Sequence, residues 1–261
     1  PGGYPTGVDQ GGSWTPTVLE WSFWDLNFRP KCDPRGMTRF SKLDWIDIYF
    51  VGDSYYQDGV SRNNQNIIHG GNPAVIPADF GGNGTLKYSG FNWWEANEIL
   101  AAWGKRLPSY REMTLASFGT NESDGRGAHP VKTGLTTANN PAGSSSDPNF
   151  TSKWGLIQST GVMWTWTSTL SDWEGDPITT TYGWQAYDVT GSVQGPRGKL
   201  ILQNSADLTA ILHGGSSVYR LTTSPQGPGA VAGSRTAETI EKLWDNSDNI
   251  AARGVCDHMW R

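Results

Sequence analysis

Asn92-Trp93-Trp94-Glu95-Ala96-Asn97-Glu98-Ile99-Leu100-Ala101-Ala102-Trp103-Gly104-Lys105-Arg106-Leu107-Pro108-Ser109-Tyr110-Arg111-Glu112 holds two helix starts and one helix stop. Asn92 is suited to cap a helix, and Glu95 stands three residues on, the reciprocal partner of a capping box. Trp93, Ala96, Leu100 and Trp103 recur at helical spacing and so share one face. Gly104 supplies the stop, because glycine enters the left-handed conformation without a Cβ penalty. Ser109 and Glu112 repeat the capping pattern. A second helix is therefore expected after Pro108, ending near Gly119.

Outside this pair the chain reads as short strands and long turns. Trp45-Ile46-Asp47-Ile48-Tyr49-Phe50-Val51 is the clearest strand, being apolar, β-branched and short. Met163-Trp164-Thr165-Trp166-Thr167 reads as another, and Thr17 to Phe28 is aromatic and strand-like. Tyr182 to Val189 and Lys199 to Leu202 are further strand or turn material. Residues 1–16 are rich in Gly, Pro and Thr and read as an arm, while 120–153 has the composition of a long surface loop. No fixed-period repeat is visible. The expected organisation is an N-terminal arm or strand segment over 1–40, then one domain over 41–261.

Composition narrows the partners. Among 261 residues only 17% are charged, with 33 Gly and 14 Trp, which suits a loop-rich fold held by aromatic packing. The net charge is −5 and no Lys/Arg run occurs, so nucleic acid is not the expected partner. No apolar stretch approaches the roughly 20 residues of a membrane span, so no membrane insertion is expected. The chain opens on Pro1-Gly2-Gly3 rather than Met, which suggests processing or trimming. Two cysteines, Cys32 and Cys256, form no disulfide framework; pairing and free burial both remain open.

Gly104-Lys105-Arg106-Leu107-Pro108-Ser109, placed directly after an aromatic helix, resembles the corresponding turn of the formylglycine-generating-enzyme superfamily. Gly161-Val162-Met163-Trp164-Thr165-Trp166 resembles a characteristic strand of that superfamily, with Thr165 where Glu is usual. His213-Gly214-Gly215-Ser216 and Gly233-Ser234-Arg235 resemble its Gly-Gly-Ser and Gly-x-Arg elements. The resemblance, spread over about 45–258, implies an α+β C-type lectin fold with two helices packed on short antiparallel sheets.

The C-terminus is similar to one branch. Gly233-Ser234-Arg235, a polar stretch, and then Ile250-Ala251-Ala252-Arg253-Gly254-Val255-Cys256-Asp257-His258 resemble the end of the variable proteins of diversity-generating retroelements. That resemblance implies a variable region over about 213–258, whose ligand-binding positions are Ser216, Val218, Tyr219, Arg220, Glu238, Ile240, Glu241, Trp244, Asp245, Ser247 and Asn249. A longer insert between Gly215 and Gly233 leaves the register of 220–232 open. The implied function is recognition of a protein or glycan receptor on a host or target cell, from a phage or prophage tail or a cell surface, by a possible homo-oligomer. No cofactor and no catalytic residue are implied.

The residues themselves allow this. Ala237, Ile240, Leu243 and Trp244 fit one face of an amphipathic helix, but Asp245-Asn246-Ser247-Asp248-Asn249 is turn chemistry. Aromatic, acidic and small polar groups on a loop suit a recognition surface. Changes there are expected to behave as surface substitutions, so that replacing Tyr219, Glu241 and Trp244 by Ala removes binding and spares the melting temperature. Arg235 and Arg253 read as scaffold, able to bridge backbone carbonyls or a carboxylate such as Asp257.

Rival chemistries fit less well. An oxidase of the formylglycine-generating type needs paired cysteines, and Cys32 and Cys256 lie at opposite ends of the sequence. An iron-dependent sulfoxide synthase needs clustered His ligands, and His69, His129, His213 and His258 show no short metal spacing. Asp147-Pro148-Asn149 and Trp244-Asp245-Asn246 only echo calcium-lectin motifs and are about a hundred residues apart. No G-x-S-x-G elbow or phosphate-binding glycine loop is present.

Overall fold

In a computed structural model of the chain the described residues are 30–42, 44–120, 132–134, 150–171, 185–186, 199–201, 208–216, 232–239 and 241–258. The strand reading at Thr17–Phe28 and the candidate positions Val218, Tyr219, Arg220 and Ile240 lie outside them, as do Asp147-Pro148-Asn149 and His129.

Both helices form where their caps predict. α1 spans Trp93–Ala101 with the full Asn92/Glu95 capping box, and α2 spans Tyr110–Ala116 with the Ser109/Glu112 box. A capping box satisfies two otherwise orphaned backbone N–H groups, which matters for helices this short. Gly104 takes φ +67, the left-handed conformation expected of the stop. Ala96, Ile99 and Leu100 are buried, and Trp93 and Trp103 pack partly buried against the same core. Burying Ile99 and Leu100 contributes roughly 1.5–3 kcal/mol each.

Among the described residues nine strands make two sheets. β1 (Met37–Arg39) and β2 (Asp44–Asp47) form an antiparallel pair, and β9 (Val255–Asp257) adds to β2 with Trp45 opposite Cys256. The described residues before Phe40 thus belong to the sheet: Pro30 bridges His258 on the far side of β9. The strand expected over Trp45–Val51 is shorter, because the chain leaves the sheet after Asp47.

The second sheet has the order β4-β5-β7-β6-β3-β8. Its members are β3 (Trp164–Ser171), β4 (Gln185–Ala186), β5 (Lys199–Ile201), β6 (Thr209–His213), β7 (Ala237–Glu238) and β8 (Ile250–Ala251). β3 starts one residue later than Met163 and runs on to Ser171, with an irregularity between Trp166 and Leu170. The expectation of antiparallel sheets requires correction, since β3 pairs β8 and β5 pairs β7 in parallel. Parallel pairs need long crossovers, and the strand order supplies them. The main core lies between α1 and this sheet, around Trp164, Trp166, Leu212, Leu243 and Ile250. The architecture is α+β with few helices and short strands.

Candidate functional site

The described residues of 236–250 form no helix. They are β7, a turn at Leu243–Trp244, a second turn at Asp248–Asn249, and the start of β8. The run of Asp, Asn and Ser prevails over the apolar spacing because those side chains satisfy nearby backbone groups and compete with a helix. Asp245 shows how: its Oδ2 accepts from the Lys242 N–H at 2.9 Å, while its own N–H donates to the Lys242 carbonyl at 3.0 Å.

The frame grips this loop mainly through main-chain atoms. Trp93 N–H, at the head of α1, donates to the Leu243 carbonyl at 3.1 Å. Gly70 N–H donates to the Ser247 carbonyl at 2.9 Å, and Trp164 N–H to the Asn249 carbonyl at 2.9 Å. Side chains add to this grip: Asn246 Oδ1 accepts from Phe91 N–H at 2.6 Å, and the Asp248 carboxylate lies 3.7 Å from His69 Nδ1. Glycines allow the close fit. A Cβ on Gly70 would stand 2.7 Å from Ser247 N, and one on Gly90 would stand 2.1 Å from Asn246 Oδ1.

The loop divides its side chains unevenly. Trp244 is 52% exposed, Asp245 is half-buried, and Asn246 and Asp248 are exposed. Lys242 places its ammonium 5.6 Å from the Trp244 ring centroid. Trp94, on the helix whose first turn holds Leu243, is 54% exposed, although sequence reading singled out only its core-facing neighbours. It meets Trp93 edge to face at 4.8 Å. Exposed flat side chains of this kind serve as anchors in recognition surfaces.

The remaining described positions require correction as surface residues. Ser216, Glu238, Glu241, Ser247 and Asn249 are all buried in the chain. Ser247 Oγ and Asn249 Oδ1 hydrogen-bond to one another. Ser216 sits in a bridge with Val162. Glu238 on β7 lies opposite Leu212 and Ile201, in the sheet interior rather than at a loop tip. Buried carboxylates persist only when partnered, and Glu238 and Glu241 both make interactions in the fold. The indifference to substitution expected of all these positions is therefore kept as an expectation for exposed Trp244, while Asp245 closes its own turn and Glu241 is buried.

Behind the loop lies a polar anchor that the sequence reading found only in part. Arg253 is fully buried, as a scaffold residue should be. Its guanidinium donates to the Ile48 carbonyl at 2.7 Å and the Gln158 carbonyl at 2.9 Å, and also to the Ile157 carbonyl. It lies 3.8 Å over the Phe50 ring. Burial pushes its pKa down to about 9. Asp257 is not its partner; that carboxylate meets Arg106 at 3.0 Å and Lys31 at 3.1 Å, and both cations hold its pKa down against partial burial.

Asp47 and Lys105 form a second buried unit that sequence reading missed. Lys105 Nζ donates to Asp47 Oδ1 at 2.7 Å and to the Gly59 carbonyl at 2.6 Å. Tyr55 Oη and Gly254 N–H both donate to Asp47 Oδ2. Burial raises the Asp47 pKa, and Lys105 opposes that rise. The available signal was a lone acid inside an apolar strand.

Gly214 and Gly215, both with positive φ, turn the chain beneath this region. The Gly214 carbonyl accepts from Gly161 N–H and Gly233 N–H, and its own N–H donates to Thr236. These contacts join three of the motifs singled out in sequence. His213 is fully buried beside them, with Nε2 3.0 Å from the Ser234 carbonyl and no hydrogen-bond partner for Nδ1 among the described residues. Burial lowers its pKa to about 4, with Arg253 contributing in the same direction.

The Asp245 and Asn246 oxygens that echoed a calcium motif are engaged with backbone N–H groups. No group of three or more His, Cys, Asp or Glu that could hold a metal occurs among the described residues. No described helix is long and apolar enough to cross a membrane. Cys32 and Cys256, which sequence distance seemed to separate, lie with their sulfurs 2.6 Å apart.

No family model matches the chain. A tail fiber receptor-binding protein of Bordetella phage BPP-1 is 34% identical over 256 residues, covering 95% of this chain and 59% of that relative. Solved structures of the major tropism determinant agree. The U1 variant matches with TM-score 0.67 at 33% identity, over 91% of this chain and 57% of that one. The I1 variant matches with TM-score 0.67 at 34% identity, over 90% and 56%. The chain thus spans a little under three fifths of the length of these relatives. Over nearly all of its residues the chain is thus homologous to a phage tail fiber receptor-binding protein and to the major tropism determinant, the branch that its C-terminal motifs resemble.

Proposed function

We propose that this chain is a receptor-binding module of a phage or prophage tail, displaying a retroelement-diversified surface around Trp244 to a protein or glycan on a host cell. One observation carries the reading: the frame holds the 243–249 loop largely by carbonyls of Leu243, Ser247 and Asn249. Any residue type offers a carbonyl, so these three contacts do not depend on which side chains the exposed positions of the loop bear. Function concentrates on such loops when a rigid scaffold positions them. The role of the phage relative, a tail fiber receptor-binding protein, supports the same reading.

Within this reading the two sheets and capped helices belong to a C-type lectin fold of the formylglycine-generating-enzyme kind. One domain runs over 41–261, and the chain before it completes the sheet or mediates assembly. Trp244 and Asp245 contact ligand directly, and Val218, Tyr219, Arg220 and Ile240 are assigned to the same surface. Ser216, Glu238, Glu241, Ser247 and Asn249 tune the surface from below, through what they pack against.

The test is a binding screen of the immobilised chain against bacterial surface-protein fractions and a glycan array. A hit supports the reading when Trp244→Ala weakens it at least tenfold and Asp245→Ala changes its specificity. Binding that ignores both substitutions would remove the loop from the recognition surface.

A further inference from the structure

Cys32 lies two residues beyond the Pro30–His258 bridge. Lys31 N–H, between them, donates to the Asp257 carbonyl at 2.9 Å. This antiparallel register, carried one step further, sets Cys32 opposite Cys256. Since the hydrogen bond belongs to Lys31 and Asp257, the cysteines form the adjacent non-hydrogen-bonded pair, where facing Cα atoms approach to about 4.5 Å. A disulfide spans Cα separations of about 4.4–6.8 Å. The sulfurs already lie 2.6 Å apart, too close for thiols that merely touch.

We propose that Cys32 and Cys256 form a disulfide that locks the chain entering the small sheet to β9, the strand that follows the presenting loop. The two thiols differ in access: Cys32 is partly exposed and Cys256 is buried. The hydrogen bond between them pushes the Cys32 thiol up and holds the Cys256 thiol down, so access rather than acidity makes Cys32 the sulfur that meets the oxidant.

The oxidant is a small-molecule disulfide. Cys32, losing its proton, attacks one of its sulfurs and expels a thiolate, leaving a mixed disulfide. The Cys256 thiolate then attacks the Cys32 sulfur, forms the protein bond and expels the second thiolate. Two protons and two electrons pass from the cysteines to the oxidant, which is reduced to two thiols. The bond would join residues 224 apart in sequence, and cross-links that close long loops constrain the unfolded chain most.

The experiment exposes the folded chain to oxidised glutathione, denatures it, and alkylates free thiols before and after reduction. The expected result is no alkylation before reduction and two sites after. A tryptic digest should also contain the peptide 32–35 linked to 254–261. The oxidised chain should melt on the order of ten degrees above the reduced one. Cys32→Ser, at the half-exposed position, should erase that difference between the two conditions. Two alkylatable thiols after oxidation overturn the proposal. So does protection from alkylation without the linked peptide, the behaviour of a metal thiolate. These readouts need no receptor and stand apart from the binding screen.

Discussion

The buried block of Asp47, Lys105 and Arg253 and the loop around Trp244 are held in opposite ways. Asp47, Lys105 and Arg253 act through their own side chains, each aimed at a specific buried partner. Leu243, Ser247 and Asn249 are gripped by their carbonyls. A site fixed by a side chain has little freedom of sequence, because removing the group strands a buried partner. A site fixed by its backbone constrains conformation and leaves residue type freer. The contrast accounts for a fixed Arg253 beside the freer positions proposed around Trp244.

The sharpest way to break the contrast is Lys105→Met. It leaves the Asp47 carboxylate buried without its cation, which should cost about 3–5 kcal/mol in denaturant unfolding. A loss below about 1 kcal/mol would mean that the buried block is not the anchor. Next is pH. The folded His213 pKa is near 4 against an ordinary 6.5, so between these values the unfolded chain binds more protons. Stability from the neutral imidazole is therefore full above about pH 6.5 and falls as pH drops toward 4, by on the order of 3 kcal/mol. His213→Gln should flatten that part of the stability–pH curve.

Two substitutions probe the border between the regions. Gly70→Ala drives a methyl group into the Ser247 backbone and should cost about 1–3 kcal/mol while displacing the loop. Glu241→Ala should cost a similar amount, about 1–3 kcal/mol, because Glu241 is buried and engaged. Stability unchanged in Glu241→Ala would return that position to the surface class. The smallest effect belongs to Trp244→Ala, expected within about 0.5 kcal/mol of the parent by thermal melting. A larger loss would show that the loop depends on its exposed ring.

Much of the frame was legible in sequence for local reasons. The Asn92/Glu95 and Ser109/Glu112 boxes, the Gly104 stop and the Trp164 strand all depend on neighbours within a few residues. Arg253 was recognisable as scaffold because a lone Arg in an apolar run has few other uses, but its partners were not. The candidate site was legible in place and only partly in exposure. Ser216, Glu238, Glu241, Ser247 and Asn249 look like surface residues by type, and turns and strand pairing bury them. Trp94 passed unnoticed because a tryptophan at a helix start reads equally as core.

The amino-acid sequence alone determined the two capped helices, the turn chemistry of 245–249 and the kinship of the C-terminal motifs, since each resides in short-range spacing. Tertiary structure alone decided that Cys32 meets Cys256, that Lys105 neutralises Asp47, and that Trp244 faces water while Glu241 does not. Those outcomes depend on which distant strands pair and in what register. Registers are selected by the packing of the whole core, and no local window of residues carries that information.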